Sequence, residues 1–168
     1  MAIVDWHQIF VESEPGILYW RNDRIVKKGK MITAFANTVA GYLHKRDNRW
    51  QIHYNNKVYT RSRIIWMMHN GPISKGLEID HIDRNPLNDN ITNLRLATKS
   101  ENNWNKPKPK NNTSGLKGVC KYKPTNKWMA YIKVFGKSKT LGYFTTKEEA
   151  HAAYVNAAKA FHGEFACY

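Results

Sequence analysis

A chain of 168 residues holding 27 Lys and Arg against 13 Asp and Glu carries a net charge of +14 and a pI near 9.8, which points to a polyanionic partner, nucleic acid first. No run approaches the ~18 apolar residues of a membrane span, and the basic residues alternate with Trp and Tyr instead of lining one face of an amphipathic helix, which sets an anionic membrane surface aside. Cys120 and Cys167 stand far apart, so neither a disulfide framework nor a four-cysteine zinc site is expected, and a reduced cytoplasmic setting fits.

The opening "MAIVDWHQIFVESEPG" has early acids and no apolar core followed by a small-residue cleavage site, so no signal peptide is expected. Trp6 to Phe10 reads as a helical turn, and "SEPG" turns the chain into the strand "ILYW". Alternation over Arg49 to Tyr54, the Asn55-Asn56 turn and a second strand through Tyr59 predict a hairpin. Ile64, Ile65, Trp66, Met67 and Met68 form an apolar helix that stops at Asn70-Gly71-Pro72. This half reads as scaffold, with its Met and Trp in the core.

In "LEIDHIDRNPLNDNITNLRLATKSENNWN" the alternation of Leu77 and Ile79, and again of Leu94 and Leu96, predicts two strands around a turn-rich loop, Asp83 to Asn90. Thr98 and Glu101 have capping-box spacing, so a helix should begin at Lys99. "NKPKPKNNTS" then reads as an extended, solvated basic linker. Beyond it come three strands with turns at Pro124 to Lys127 and Gly136 to Ser138. A helix capped by Thr145 or Thr146 follows, with Ala150, Ala153, Tyr154, Ala157 and Ala158 on one face and its end at Gly163.

Asp80 and His81, side by side where a strand ends, are the pair that carries chemistry: an oxygen ligand for a hard cation and a neutral imidazole able to take a proton from water. Adjacent strand residues point to opposite faces, so both serve one site only if the chain twists there, and the turn residues that follow supply the twist. Asn102 on the predicted helix offers a second oxygen. Asp83, Asn85, Asn88 and Asp89 lack the Gly and Glu spacing of a calcium loop and read as turn formers. His44, His53, His69 and His151 have no partners at useful spacing and read as structural.

The segment from 61 to 105 resembles the HNH nucleases, and within them the phage and intron-encoded homing endonucleases. Asp80-His81 match the opening of the motif, Asn93 its middle position twelve residues after the His, and Asn102 its closing position, an H-N-N version. The resemblance implies a β-hairpin and helix around one divalent metal ion, Mg²⁺ or Mn²⁺, and hydrolysis of a phosphodiester bond in duplex DNA. His81 and Asn93 would be catalytic, His81 as base and Asn93 in orienting it. Asp80 and Asn102 would hold the metal.

Residues 114 to 166 resemble the AP2 DNA-binding domain through Gly118-Val119, Lys127-Trp128, Ile132, Leu141-Gly142, Phe144, Glu148-Glu149-Ala150, Ala153-Tyr154, Ala157-Ala158, Gly163 and Phe165-Ala166. Lys117, Cys120, Tyr122 and Lys133 match that family's base-reading positions. No arginine follows Arg95, so affinity and orientation are expected more than sharp guanine specificity. The DNA-contacting set is expected to be Arg95, Lys106, Lys108, Lys110, Lys117, Lys121, Tyr122, Lys127, Trp128, Lys133 and Lys139.

The expected fold is therefore α+β. A nuclease domain spans 1–105, with its ββα-metal core at about 77–105 on an N-terminal hairpin and helix scaffold. A linker spans 106–113, and an AP2-like three-stranded antiparallel sheet with one helix spans 114–168. The expected protein is a phage-encoded monomer in the host cytoplasm, with double-stranded DNA as partner and no small-molecule substrate. The alternative is a non-catalytic DNA-binding protein on a degenerate nuclease fold.

Overall fold

The computed structural model describes residues 4–25 and 32–168; Met1 to Ile3, at the head of the segment read for a leader, lie outside the described residues. The chain is mixed α+β and divides into two compact units, Met1–Leu96 and Ala97–Tyr168. The division falls earlier than the expected linker, and the helix expected at Lys99 is counted with the second unit.

The first unit opens on a 3₁₀ turn, Trp6–Gln8, capped by the Asp5 carboxylate. β1 (Phe10–Glu14) then pairs antiparallel with β2 (Ile17–Trp20). The predicted helical turn ends before Phe10 because that ring is fully buried opposite Trp20, their centroids 4.7 Å apart. Such a cross-strand aromatic pair outweighs local propensity. β3 (Arg24–Ile25) pairs with β4 (Ile32–Ala34).

Next, β5 (Tyr42–His44), β6 (Arg49–Tyr54) and β7 (Lys57–Thr60) form a three-stranded sheet in that order. The expected hairpin is there, its turn made by Asn55 and Asn56 at φ +49° and +58°, and β5 extends it by a strand. α1 (Arg61–Asn70) stops at Gly71, as predicted. β8 (Leu77–His81) pairs with β9 (Leu94–Thr98).

Phe10, Leu18, Ile52, Ile64 and Ile65 are fully buried and, with Trp6, Trp20, Ile79 and Leu94, make one core beneath these sheets and α1. At about 1.5–3 kcal/mol for each buried aliphatic side chain, this cluster seats β8 through Ile79.

The second unit contains α2 (Lys99–Trp104), with both capping-box bonds between Thr98 and Glu101 in place. The Lys117 ammonium donates to the Trp104 and Lys106 carbonyls at 2.7 and 2.6 Å, which ties the end of α2 to the sheet that follows. That sheet is β10 (Val119–Tyr122), β11 (Lys127–Val134) and β12 (Lys137–Phe144), antiparallel in sequence order. α3 (Lys147–His162), capped by Thr146 with Glu149 completing the box, lays Ala150, Tyr154 and Ala158 on Val119, Ala130 and Ile132. Gly118, at φ +74°, lies so close to the Tyr154 ring that an added Cβ would stand 2.0 Å from it, so no other residue fits without displacing the core tyrosine.

His162 closes this unit. It is 5 % exposed, stacks on Trp104 at 4.3 Å, and gives its Nε2 hydrogen to the Lys133 carbonyl at 3.0 Å. Burial holds its imidazole below the ordinary value; the bond to Lys133 opposes that and the Lys117 charge adds to it. The native state thus resists a proton that the unfolded chain accepts. Stability is complete above the unfolded value of about 6.5 and falls as pH drops from there toward the lower folded value. Thermal melts at pH 7.5 and 5.5 are expected to show a loss at the lower pH, part of which disappears in His162→Phe.

Candidate catalytic site

β8 ends in three consecutive buried residues. Ile79 faces the core, while Asp80 and His81 are each 5 % exposed. Buried ionisable groups must find partners, and both do. Arg95 on β9 donates through Nε to Asp80 Oδ2 at 2.9 Å. His81 Nε2 stands 2.8 Å from Asp89 Oδ1, and Asp89 Oδ2 accepts from Arg61 Nε, also at 2.8 Å. A carboxylate only accepts, so the Asp89 contact places the His81 proton on Nε2 and leaves the lone pair of the neutral ring on Nδ1.

Arg61 is an unexpected residue to find buried. It is the first residue of α1, where the partial positive charge of the helix start disfavours a cation. The Asp89 carboxylate offsets that, the Trp50 ring lies 4.7 Å from the guanidinium carbon, and Nη2 reaches the Leu87 carbonyl at 3.4 Å. Scaffold helix, loop and imidazole are thus held by one charge-paired chain.

Asn93 clasps the loop from inside. Its backbone carbonyl accepts from the Ile82 amide, its side-chain oxygen from the Asp83 amide, and its NH₂ donates to Asp83 Oδ1 and the Asn88 carbonyl, all within 3.0 Å. Burial pushes the Asp83 carboxyl up, but bonds from Asn88, the Asn85 amide and Asn93 hold it below the usual carboxylate range. Gly16, at φ +80° in the β1–β2 turn, abuts the backbone of Asp89 and Asn90 so closely that a Cβ would meet Asn90 N at 2.6 Å. The first hairpin therefore props the segment that carries Asp89.

The remaining expected site residues belong to the second unit. Asn102 is the half-buried fourth residue of α2, which follows β9 with no intervening residue. Among the described residues no three His, Cys, Asp or Glu side chains gather as a metal cluster. Lys110, Lys127 and Lys133 are exposed. The Lys106 ammonium bonds Asn103 Oδ1, that of Lys108 the Gly115 carbonyl, and that of Lys117 the two carbonyls already described. Trp128 packs against the core of Val119, Ala130 and Ala150, with the Lys121 ammonium 4.7 Å from its ring centre. Tyr122 rests on Tyr143 at 4.6 Å, and the Lys139 ammonium lies 5.3 Å from the Phe161 ring centre.

One reading needs correction. Asp83, Asn85 and Asn88 do form turns through their own side chains, but Asp89 does not. At 3 % exposed it is the partner of His81 and Arg61. Nothing local separates it from the neighbouring turn formers; the one signal in the sequence is Arg61, a cation at the start of an apolar helix.

Part of the chain is similar to known proteins. Residues 59–104 match the HNH endonuclease family. The chain is 44 % identical over 104 residues to Protein 3.8 of Escherichia phage T7, covering 61 % of this chain and 84 % of that protein. It is 36 % identical over 96 residues to the uncharacterized HNH endonuclease L560 of Acanthamoeba polyphaga mimivirus, covering 57 % of this chain and about half, 49 %, of that protein. No solved structure matches. Residues 59–104 are thus an HNH endonuclease segment, and the family match does not extend to the rest of the chain.

Proposed function

We propose that the chain is a metal-dependent, homing-type endonuclease that hydrolyses a phosphodiester bond in duplex DNA. On this reading β8, β9 and α2 are its ββα-metal core, and the sheet with α3 is an AP2-like DNA-binding domain. The observation that carries the reading is the imidazole of His81, held by Asp89 and Arg61 in the tautomer that a base requires.

His81 Nδ1 takes a proton from water as the water oxygen bonds to phosphorus and the bond to the 3′ oxygen breaks; the departing oxygen is then protonated from solvent. The imidazolium formed is stabilised by Asp89, so the base gains in strength as charge develops. Asn93 keeps the loop after His81 from drifting. Asp80 and Asn102 offer a carboxylate and a carboxamide oxygen, a hard donor set that fits Mg²⁺ or Mn²⁺ better than zinc. Such an ion, when bound, neutralises charge on the phosphate and the departing oxygen. Lysines of the second unit, Lys106, Lys108 and Lys110 among them, meet backbone phosphates. The setting is a phage-infected bacterial cytoplasm, with one site per chain.

A second reading, a non-catalytic DNA-binding protein, draws on the Arg95–Asp80 pair: a guanidinium on the proposed ligand suits a carboxylate that serves only as an anchor. Incubation of duplex DNA with and without Mg²⁺ separates the two. Scission that needs the ion supports the first, and binding without scission in either Mg²⁺ or Mn²⁺ supports the second. Asn102→Ala is expected to raise the Mg²⁺ concentration for half-maximal rate by about tenfold or more; an unchanged requirement together with an unchanged maximal rate removes Asn102 from the ligand set.

A further inference from the structure

The turn between β11 and β12 is made by Phe135 and Gly136, both at positive φ, +47° and +80°. Tight two-residue hairpins ask for this backbone, and Asn, Asp or Gly supply it with little strain. The same chain does so between β6 and β7, where Asn55 and Asn56 take the equivalent places. An aromatic residue there is strained. Packing does not account for it: Phe135 is 81 % exposed, the most exposed large apolar side chain among the described residues, and its ring contact is one edge-on approach to Trp104 at 6.1 Å. It thus sits in a disfavoured backbone conformation and leaves its ring in water.

The surroundings indicate what the ring is for. From Asn102 to Lys147 the chain holds eleven lysines and no Asp or Glu, and Lys133, Lys137 and Lys139 flank the tip on the two strands. Duplex DNA combines a polyanionic exterior with a stack of flat apolar rings that a wedge can enter. An acidic protein surface offers only the first, and a single ring is a weak anchor in a bilayer. We propose that Phe135 is a wedge that inserts between adjacent base pairs while the neighbouring lysines engage the phosphates, partly unstacking that step and bending the duplex. The proposal rests on the duplex-DNA reading above.

The test uses the full chain in EDTA with a 2-aminopurine-scanned duplex carrying a fluorophore at each end. The wild type is expected to raise 2-aminopurine fluorescence at one step and to shorten the end-to-end distance. Phe135→Asn, whose side chain suits the turn, is expected to lose both signals and to bind about tenfold more weakly, while melting a few degrees higher. Phe135→Leu, still apolar, is expected to retain part of the bend. If Phe135→Asn bends and unstacks DNA as the wild type does, or melts lower than the wild type, the ring is not a wedge. Wild-type binding without any unstacked step overturns the wedge and leaves the nuclease reading standing. A wild type that binds no duplex removes both.

Discussion

His81→Ala is expected to abolish cleavage of duplex DNA while leaving affinity within a few-fold. The imidazole acts on water, and its contribution belongs to the transition state and not to the bound ground state. His81 is 5 % exposed and its Nε2 is committed to Asp89, so little of the ring is left to grip DNA. General-base catalysis typically contributes 10²- to 10⁴-fold, enough to take a slow nuclease below detection. Single-turnover cleavage and a filter-binding isotherm on the same preparation check it. Retention of more than about a tenth of the wild-type rate, well outside that range, would remove His81 from its role.

The second large effect is expected in stability. Arg61→Ala leaves Asp89 buried without its guanidinium, and breaking such a pair from one side typically costs about 3–5 kcal/mol. Both side chains are at most 5 % exposed, so water cannot rescue the remaining charge. Denaturant titration of the full chain should show the loss in the transition of the first unit. Asp89→Asn leaves the Arg61 guanidinium, always charged, buried without its anion, so it should destabilise comparably, while also slowing cleavage through a loosened imidazole. If instead the double variant Arg61→Ala/Asp89→Asn loses the sum of the two single losses, the two charges are not coupled and the pairing is ordinary packing.

These expectations turn on contacts that only the folded chain reveals. Local grammar was readable: the Thr98–Glu101 box, the Asn55-Asn56 turn and the stop at Gly71 each depend on residues within a few positions, and each stands where the sequence put it. Asp80, His81 and Asn93 could be singled out because one hairpin and its loop carry all three. Strand β1 could not, since its pairing depends on Phe10 meeting Trp20 across a turn. Asp89 could not either. Its meaning lies in a bond to Arg61, 28 positions away, and in a row of Asn and Asp residues it reads like its neighbours.

The acid-free stretch from Asn102 to Lys147 has a consequence for how the protein behaves in a cell crowded with nucleic acid. With no carboxylate inside it, none of its eleven ammonium groups has an intramolecular counter-charge within the stretch, so its neutralising company in the free protein includes dissolved anions. On contact with a duplex, the cations condensed along the DNA return to solution as lysines replace them. The gain is entropic and indifferent to sequence. On the duplex-DNA reading proposed above, such a surface is expected to hold arbitrary DNA, to move along it, and to let go as ionic strength rises.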